Sequence, residues 1–150
     1  MNIQDLLHEK SILIPLAGTD KKAIISDMID GLVASGSVSD KQQYMEAVLA
    51  RESTGSTGIG FGVAIPHGKS AGVDRPGLAF AKLASPVEWQ SLDGEPVKAV
   101  FMIAVPEAAA GNEHLQILIA LSRKLIDSGF REKLMAVEGP EQLESLLATI

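Results

Sequence analysis

The run Val97-Lys98-Ala99-Val100-Phe101-Met102-Ile103-Ala104-Val105, bracketed by Pro96 and Pro106, decides the fold class. It does not alternate: beyond Lys98 every position is apolar. A strand with one wet face carries polar side chains at every second position, whereas a strand covered on both faces does not. The run therefore reads as a central strand that needs a helical layer on each side. Asp20 to Ser35 supplies one helix, with Ile24, Ile25, Met28, Ile29, Leu32 and Val33 at spacings of three to four and Gly36 as its stop. A second follows Ser39, which with Gln42 resembles a capping box. Its buried stripe is Tyr44, Met45, Val48 and Leu49, and it runs out near Arg51-Glu52, before the loop Ser53-Thr54-Gly55-Ser56-Thr57-Gly58. Beyond the central run, Glu113 to Asp127 forms a third helix with Asn112 as N-cap. Leu115, Leu118, Ile119, Leu125 and Ile126 make its apolar face, and Gln116, Arg123 and Asp127 its solvent stripe. Helices at Arg131–Val137 and Glu141–Leu147, separated by Gly139-Pro140, end the chain. Leu6 and Leu7 sit in a short helix. Further strands lie at Ser11–Ile14, closed by Pro15, around Val63–Ile65, and at Leu78–Leu83 between Pro76 and Pro86. Interleaved helices and strands predict an α/β fold: a mixed, mostly parallel central sheet sandwiched by helices.

The chain has 150 residues, of which 46% are hydrophobic and 21% charged. That is a size and composition for one domain, 1–150, that folds without a staple. With no cysteine, disulfides, zinc–thiolate sites, iron–sulfur clusters and a thiol nucleophile are all absent. A net charge of -6 argues against nucleic acid, whose binders neutralise phosphates with Lys and Arg. The N-terminal ten residues read as neither a signal nor a transit peptide, and no run reaches the ~18–20 apolar residues of a membrane span. A cytoplasmic protein with no membrane insertion is expected.

Several motif-like stretches carry nothing. Gly62 to Ser70 has five residues between its glycines where a phosphate-cradling loop has four, and Pro66 removes an N–H. Gly58, Gly60 and Gly62 precede no helix start, so they read as close backbone packing in a bent strand. Thr54 stands where a nucleophile elbow around Ser56 needs glycine. His8, His67 and His114 are never three to five residues apart, so no metal pair and no cofactor motif is present.

His67 remains, in Ile65-Pro66-His67-Gly68-Lys69 at the end of an apolar strand. Pro66 stiffens the approach, and Gly68 lets the chain turn and leaves room beside the ring. The residue is either a turn histidine with no task or a presented imidazole. Imidazole, with a reference pKa of ~6.5, is substantially neutral and nucleophilic at pH 7. It can take a phosphoryl group on one nitrogen while the other fixes the tautomer, provided that N–H donors or cations surround it. Arg51 offers a fork of donors, or else balances its helix dipole. His114 stands in the first turn of its helix, where N–H groups attract anions, or else is a polar residue tolerated there. His8 is assigned to the surface.

The segment Thr57-Gly58-Ile59-Gly60-Phe61-Gly62-Val63-Ala64-Ile65-Pro66-His67-Gly68-Lys69 resembles the phosphorylation-site signature of the fructose/mannitol-type enzyme IIA (EIIA type-2) domains of the bacterial phosphoenolpyruvate-dependent sugar phosphotransferase system. The likeness extends to Arg51-Glu52-Ser53 and to Asn112-Glu113-His114-Leu115. It implies a mixed sheet flanked by helices rather than a regular Rossmann fold. It implies that His67 takes a phosphoryl group from the phosphohistidine of HPr and delivers it to a cysteine of a IIB domain. By position, Arg51 and His114 are implied to line the site. With no cysteine in this chain, the receiving thiol belongs to a separate protein or to another domain. The family includes sugar-transport members and nitrogen-regulatory members, and Phe61 with the following Gly-Val-Ala-Ile is closer to the fructose side.

Overall fold

The computed structural model describes residues 3–108 and 113–150, and of Gln4, Glu113 and His114 the backbone only. The central run is strand β6, Val97–Pro106, and from Ala99 to Val105 every side chain is buried. Ala99, Phe101, Ile103 and Val105 enter one core, while Val100, Met102 and Ala104 enter the other. Strand β5, Gly77–Val87, lies antiparallel to β6 on one side, and β1, Ile12–Leu16, runs parallel to β5 beyond it. On the other side of β6 lie β3, Val63–Ala64, and β4, His67–Ser70, both parallel to it. Strand β2, Gly58–Gly60, pairs antiparallel with β3. Helices α1, Lys21–Ala34, and α2, Lys41–Ser53, cover one face. Helices α3, Glu113–Leu125, α4, Ser128–Met135, and α5, Pro140–Leu147, cover the other. This is the mixed sandwich that the doubly apolar run requires.

Local details depart from the sequence reading where side chains compete for the same job. The N-cap of α2 is Asp40, whose Oδ1 accepts from Gln43 N at 3.1 Å. Ser39 Oγ, expected to cap, instead donates to Asp74 Oδ1 at 2.9 Å. Pro15 does not close β1, because β1 is an edge strand and its outer side needs no N–H. Strand β5 likewise runs on through Pro86, beyond an irregularity that follows Lys82. Asp127 is no part of a solvent stripe on α3; it caps α4 through Gly129 N at 2.9 Å. Val33 closes no apolar face, being 41% exposed. On α3 the buried stripe is Ile117, Leu121 and Leu125, whereas Leu115, Ile119 and Ile126 are exposed. The expected cap Asn112 lies outside the described residues.

Tyr44 ties α2 to the central strand: its Oη donates to Ile103 O at 2.7 Å, fully buried. Burial pushes the phenol far above its ordinary value of 10.0. A raised folded-state value adds stability that is complete below pH 10 and is lost above it, at about 1.4 kcal/mol per pH unit once the unfolded tyrosine ionises. Tyr44 is the single tyrosine, so phenolate absorbance reports it alone. That absorbance is expected to stay absent as pH passes 10 and to rise only with unfolding. A reversible titration centred near 10 in the folded chain would contradict the burial.

Candidate functional site

Strands β3 and β4 occupy one lane along β6. Val63 and Ala64 pair with Ala99 and Val100, and His67 through Ser70 pair with Ile103 through Pro106. Ile65 and Pro66 interrupt the lane. Ile65 N turns away from β6 and donates to Thr57 O at 3.0 Å, while Ile103 N donates to Pro66 O at 3.1 Å. His67 is therefore the first residue after a break in a strand, not the last before a turn, as the Pro-His-Gly spacing suggested.

Gly68 also has another role than the one expected. It sits inside β4, and a Cβ there would stand 3.2 Å from Val48 Cγ2 and Val48 N and 3.3 Å from Ala47 Cβ. The missing side chain lets α2 lie directly against the strand. Because successive strand residues face opposite ways, Gly68 toward α2 sends His67 toward the face that α3 covers. The half-buried ring has Nδ1 at 3.0 Å from Ile65 O. A carbonyl oxygen only accepts, so Nδ1 carries the proton and a neutral ring has its lone pair on Nε2.

Arg51 lies in the last turn of α2, three and four residues beyond Val48 and Ala47, hence on the helix face that meets Gly68. Its Nη1 donates to Gly55 O at 2.9 Å and to Thr54 Oγ1 at 3.3 Å. The guanidinium is thereby tethered to the loop after its own helix, half-buried at the end of α2 next to β4. The backbone of His114 falls in the first turn of α3, on the face His67 points to; its side chain lies outside the described residues. His8 is exposed as expected, and its Nδ1 accepts from Lys10 N at 3.0 Å, capping a short N-terminal turn.

The glycines ahead of His67 form a tight hairpin rather than a nucleotide loop. Gly60, Phe61 and Gly62 have φ of 98, 61 and 75°, and Arg131 Cζ lies 4.3 Å from the centre of the exposed Phe61 ring. Asp93 accepts from Glu95 N at 3.0 Å and from Phe61 N at 3.1 Å, which holds its carboxyl below the usual range. No group of carboxylates and imidazoles among the described residues suits a metal ion. No helix there is long and apolar enough to cross a membrane.

Sequence reasoning passed over Lys21 and Trp89 and gave Glu52 and Thr57, both in stretches that carry the resemblance, no role of their own. Glu52 Oε2 is 2.6 Å from Lys21 Nζ, and Oε1 accepts from Thr57 Oγ1, which accepts in turn from Trp89 Nε1 at 3.2 Å. One signal was legible: a glutamate in the last turn of a helix opposes the macrodipole, so it needs a partner elsewhere.

Residues 5–149 match the family model described as "Phosphoenolpyruvate-dependent sugar phosphotransferase system, EIIA 2". A fructose-specific EIIA component of Haloferax volcanii is 42% identical over 130 residues, which is 87% of this chain and 84% of that protein. Longer relatives exist, and the chain spans only 23% of a fructose-specific EIIABC component of Bacillus subtilis. Among solved structures, the nitrogen regulatory protein IIA-Ntr of Neisseria meningitidis superposes with a TM-score of 0.84 at 34% identity, covering 97% of this chain and 98% of that one. The Escherichia coli complex of enzyme IIA-mannitol with phosphorylated IIB-mannitol gives 0.81 at 25% identity, covering 97% and 100%. A match along almost the entire chain, around a histidine at a strand break, assigns the protein to the EIIA type-2 family of the phosphoenolpyruvate-dependent sugar phosphotransferase system.

Proposed function

We propose that residues 1–150 act as one cytoplasmic phosphocarrier unit, in which His67 accepts a phosphoryl group from phosphorylated HPr and passes it to a IIB cysteine for sugar uptake of the fructose type. The observation that carries this reading is His67 itself, with Nδ1 held by Ile65 O at 3.0 Å. Nε2 is then the nucleophile: its lone pair forms the new P–N bond as the P–N bond to the HPr histidine breaks. The Nδ1 proton stays on the ring throughout. In the second step a cysteine thiolate attacks phosphorus, a P–S bond forms, and the electron pair of the broken P–N bond returns to Nε2. The protein's contribution is position and charge, as in phosphoryl transfer generally. Arg51 supplies donors to the phosphoryl oxygens, and His114, from the first turn of α3, supplies another.

The test is chemical. Protein incubated with phosphorylated HPr is expected to gain acid-labile, base-stable phosphate and to lose it on addition of a fructose-type IIB protein. A His114→Ala chain is expected to discharge more slowly at unchanged stability; parent discharge rates with a lowered melting point would leave His114 only a structural role. Likeness to the regulatory IIA-Ntr favours a second reading, in which phosphorylated His67 alters binding to a target protein. Label that forms from HPr yet passes to no IIB protein would decide for that reading.

A further inference from the structure

The polar groups behind His67 form a chain with one direction. The Trp89 indole N–H can only donate, and it meets Thr57 Oγ1 at 3.2 Å. The hydroxyl must then give its single proton elsewhere, and it gives it to Glu52 Oε1. A carboxylate only accepts, and its other oxygen takes the Lys21 ammonium at 2.6 Å, with the Glu52 side chain 7% exposed and that of Lys21 24%. Thr57 and Trp89 are buried, at 3% and 0%. Trp89, Thr57 and Glu52 thus run from donor to acceptor in one direction, and the ion pair with Lys21 closes the chain at Glu52 Oε2, which has no hydrogen-bond partner among the described residues. From Thr57 the chain continues through the backbone: Thr57 O takes Ile65 N, and Ile65 O takes His67 Nδ1. Next to Glu52, Arg51 grips the same loop at Gly55 O. Two neighbouring residues at one helix end thus hold the loop from two sides.

We infer that Lys21, Glu52, Thr57 and Trp89 form a positioning unit for phosphoryl transfer. They fix Ile65 so that its carbonyl holds the His67 ring in the Nδ1–H tautomer, with Nε2 aimed at the incoming phosphorus. None of the four touches the reacting atoms. The inference rests on His67 being the phosphoryl acceptor, and it adds the residues that keep that imidazole in its reactive form. A small displacement is costly in transfer reactions, where a misplacement of about 1 Å can cost on the order of a hundredfold.

The experiment compares Thr57→Val, which keeps shape and removes the hydroxyl, with Thr57→Ser, which restores it. Two quantities are read: the rate of phosphoryl acceptance at saturating phosphorylated HPr, and the ¹⁵N shifts of the His67 ring in the unphosphorylated chain. Thr57→Val is expected to accept on the order of tenfold more slowly, with the KM for HPr unchanged and the Nδ1–H signature replaced by a tautomer average. Thr57→Ser is expected to recover both. Parent rate and parent ring shifts in Thr57→Val, even with a lowered melting point, would reduce the network to a structural role and overturn the proposal. Should Thr57→Val not fold, Lys21→Met, which removes the half-exposed end of the network, is read by the same two measurements with the same deciding outcomes. If the parent chain takes no label at all, the phosphocarrier reading fails. The ring shifts, which need no phosphate, still decide whether the network sets the tautomer.

Discussion

A His67→Ala chain is expected to take no acid-labile, base-stable phosphate from phosphorylated HPr, while staying within about 1–2 kcal/mol of the parent in stability. The first half follows from the inventory of nucleophiles. Alanine has no lone pair to attack phosphorus, the chain has no cysteine, the Nδ1 lone pair of His8 is engaged as a cap by Lys10 N at 3.0 Å, and the remaining imidazole, His114, has in the proposed function the role of a donor to the phosphoryl oxygens rather than of an acceptor of the group. The second half follows from where the strand's bonds are. Pairing of His67 through Ser70 with Ile103 through Pro106 is a backbone ladder, indifferent to the side chain lost. Among the described contacts, the one that disappears is that to Ile65 O, in a half-buried setting. Tyr44 gives an internal control, because its hydroxyl is bonded to the carbonyl of Ile103, the residue opposite His67. If the phenol of the variant still resists ionisation above pH 10, β4's partner strand and α2 have kept their places, and loss of label is loss of chemistry. Label surviving in a variant that passes this control would assign the acceptor to another residue.

The layers of this fold were legible because β6 is apolar at every position from Ala99 to Val105, a pattern that admits a helix layer on each face and little else. The burial of α3 was not legible. Leu115, Ile117, Leu118, Ile119 and Leu121 surround much of the helix, so several stripes satisfy a period of 3.6, and only packing selects Ile117, Leu121 and Leu125. The site was half legible. Pro66, His67 and Gly68 marked a special position, but the sequence could not tell a turn from an interrupted strand, since proline ends one and breaks the other. Gly68 looked like a hinge because the residue it makes room for, Val48, is 20 positions away in the chain. The network behind the histidine was least legible of all. Lys21, Glu52, Thr57 and Trp89 come from four separate segments, and only the awkward glutamate at the end of α2 advertised that a partner was needed.

Replacing Arg51 by alanine is expected to slow transfer through His67 on the order of a hundredfold, the low end of the range found when one donor to a developing oxyanion is removed, and replacing it by lysine on the order of tenfold, since the charge stays and the fork is lost. Nη1 alone carries its bonds among the described residues, to Gly55 O and Thr54 Oγ1, and these fix the plane of the guanidinium without using its Nε and Nη2 protons. A fork fixed in this way can present two N–H groups to phosphoryl oxygens at little further cost in rotamer entropy. Lysine can do one of these jobs at a time: its ammonium either bonds Gly55 O and leaves the phosphate, or reaches the phosphate and leaves the loop. Stability should fall by only about 0.5–1.5 kcal/mol in either variant, the ordinary worth of the loop contact. The competing account, a helix-terminal cation that soothes the dipole and clasps its own loop, predicts the reverse pattern. It requires the stability loss with parent transfer rates, and lysine, which keeps the charge, should then behave nearly as arginine. Measuring melting and single-turnover transfer on the same two variants separates the accounts. The lysine chain is the more informative, because it retains the charge and removes only the geometry.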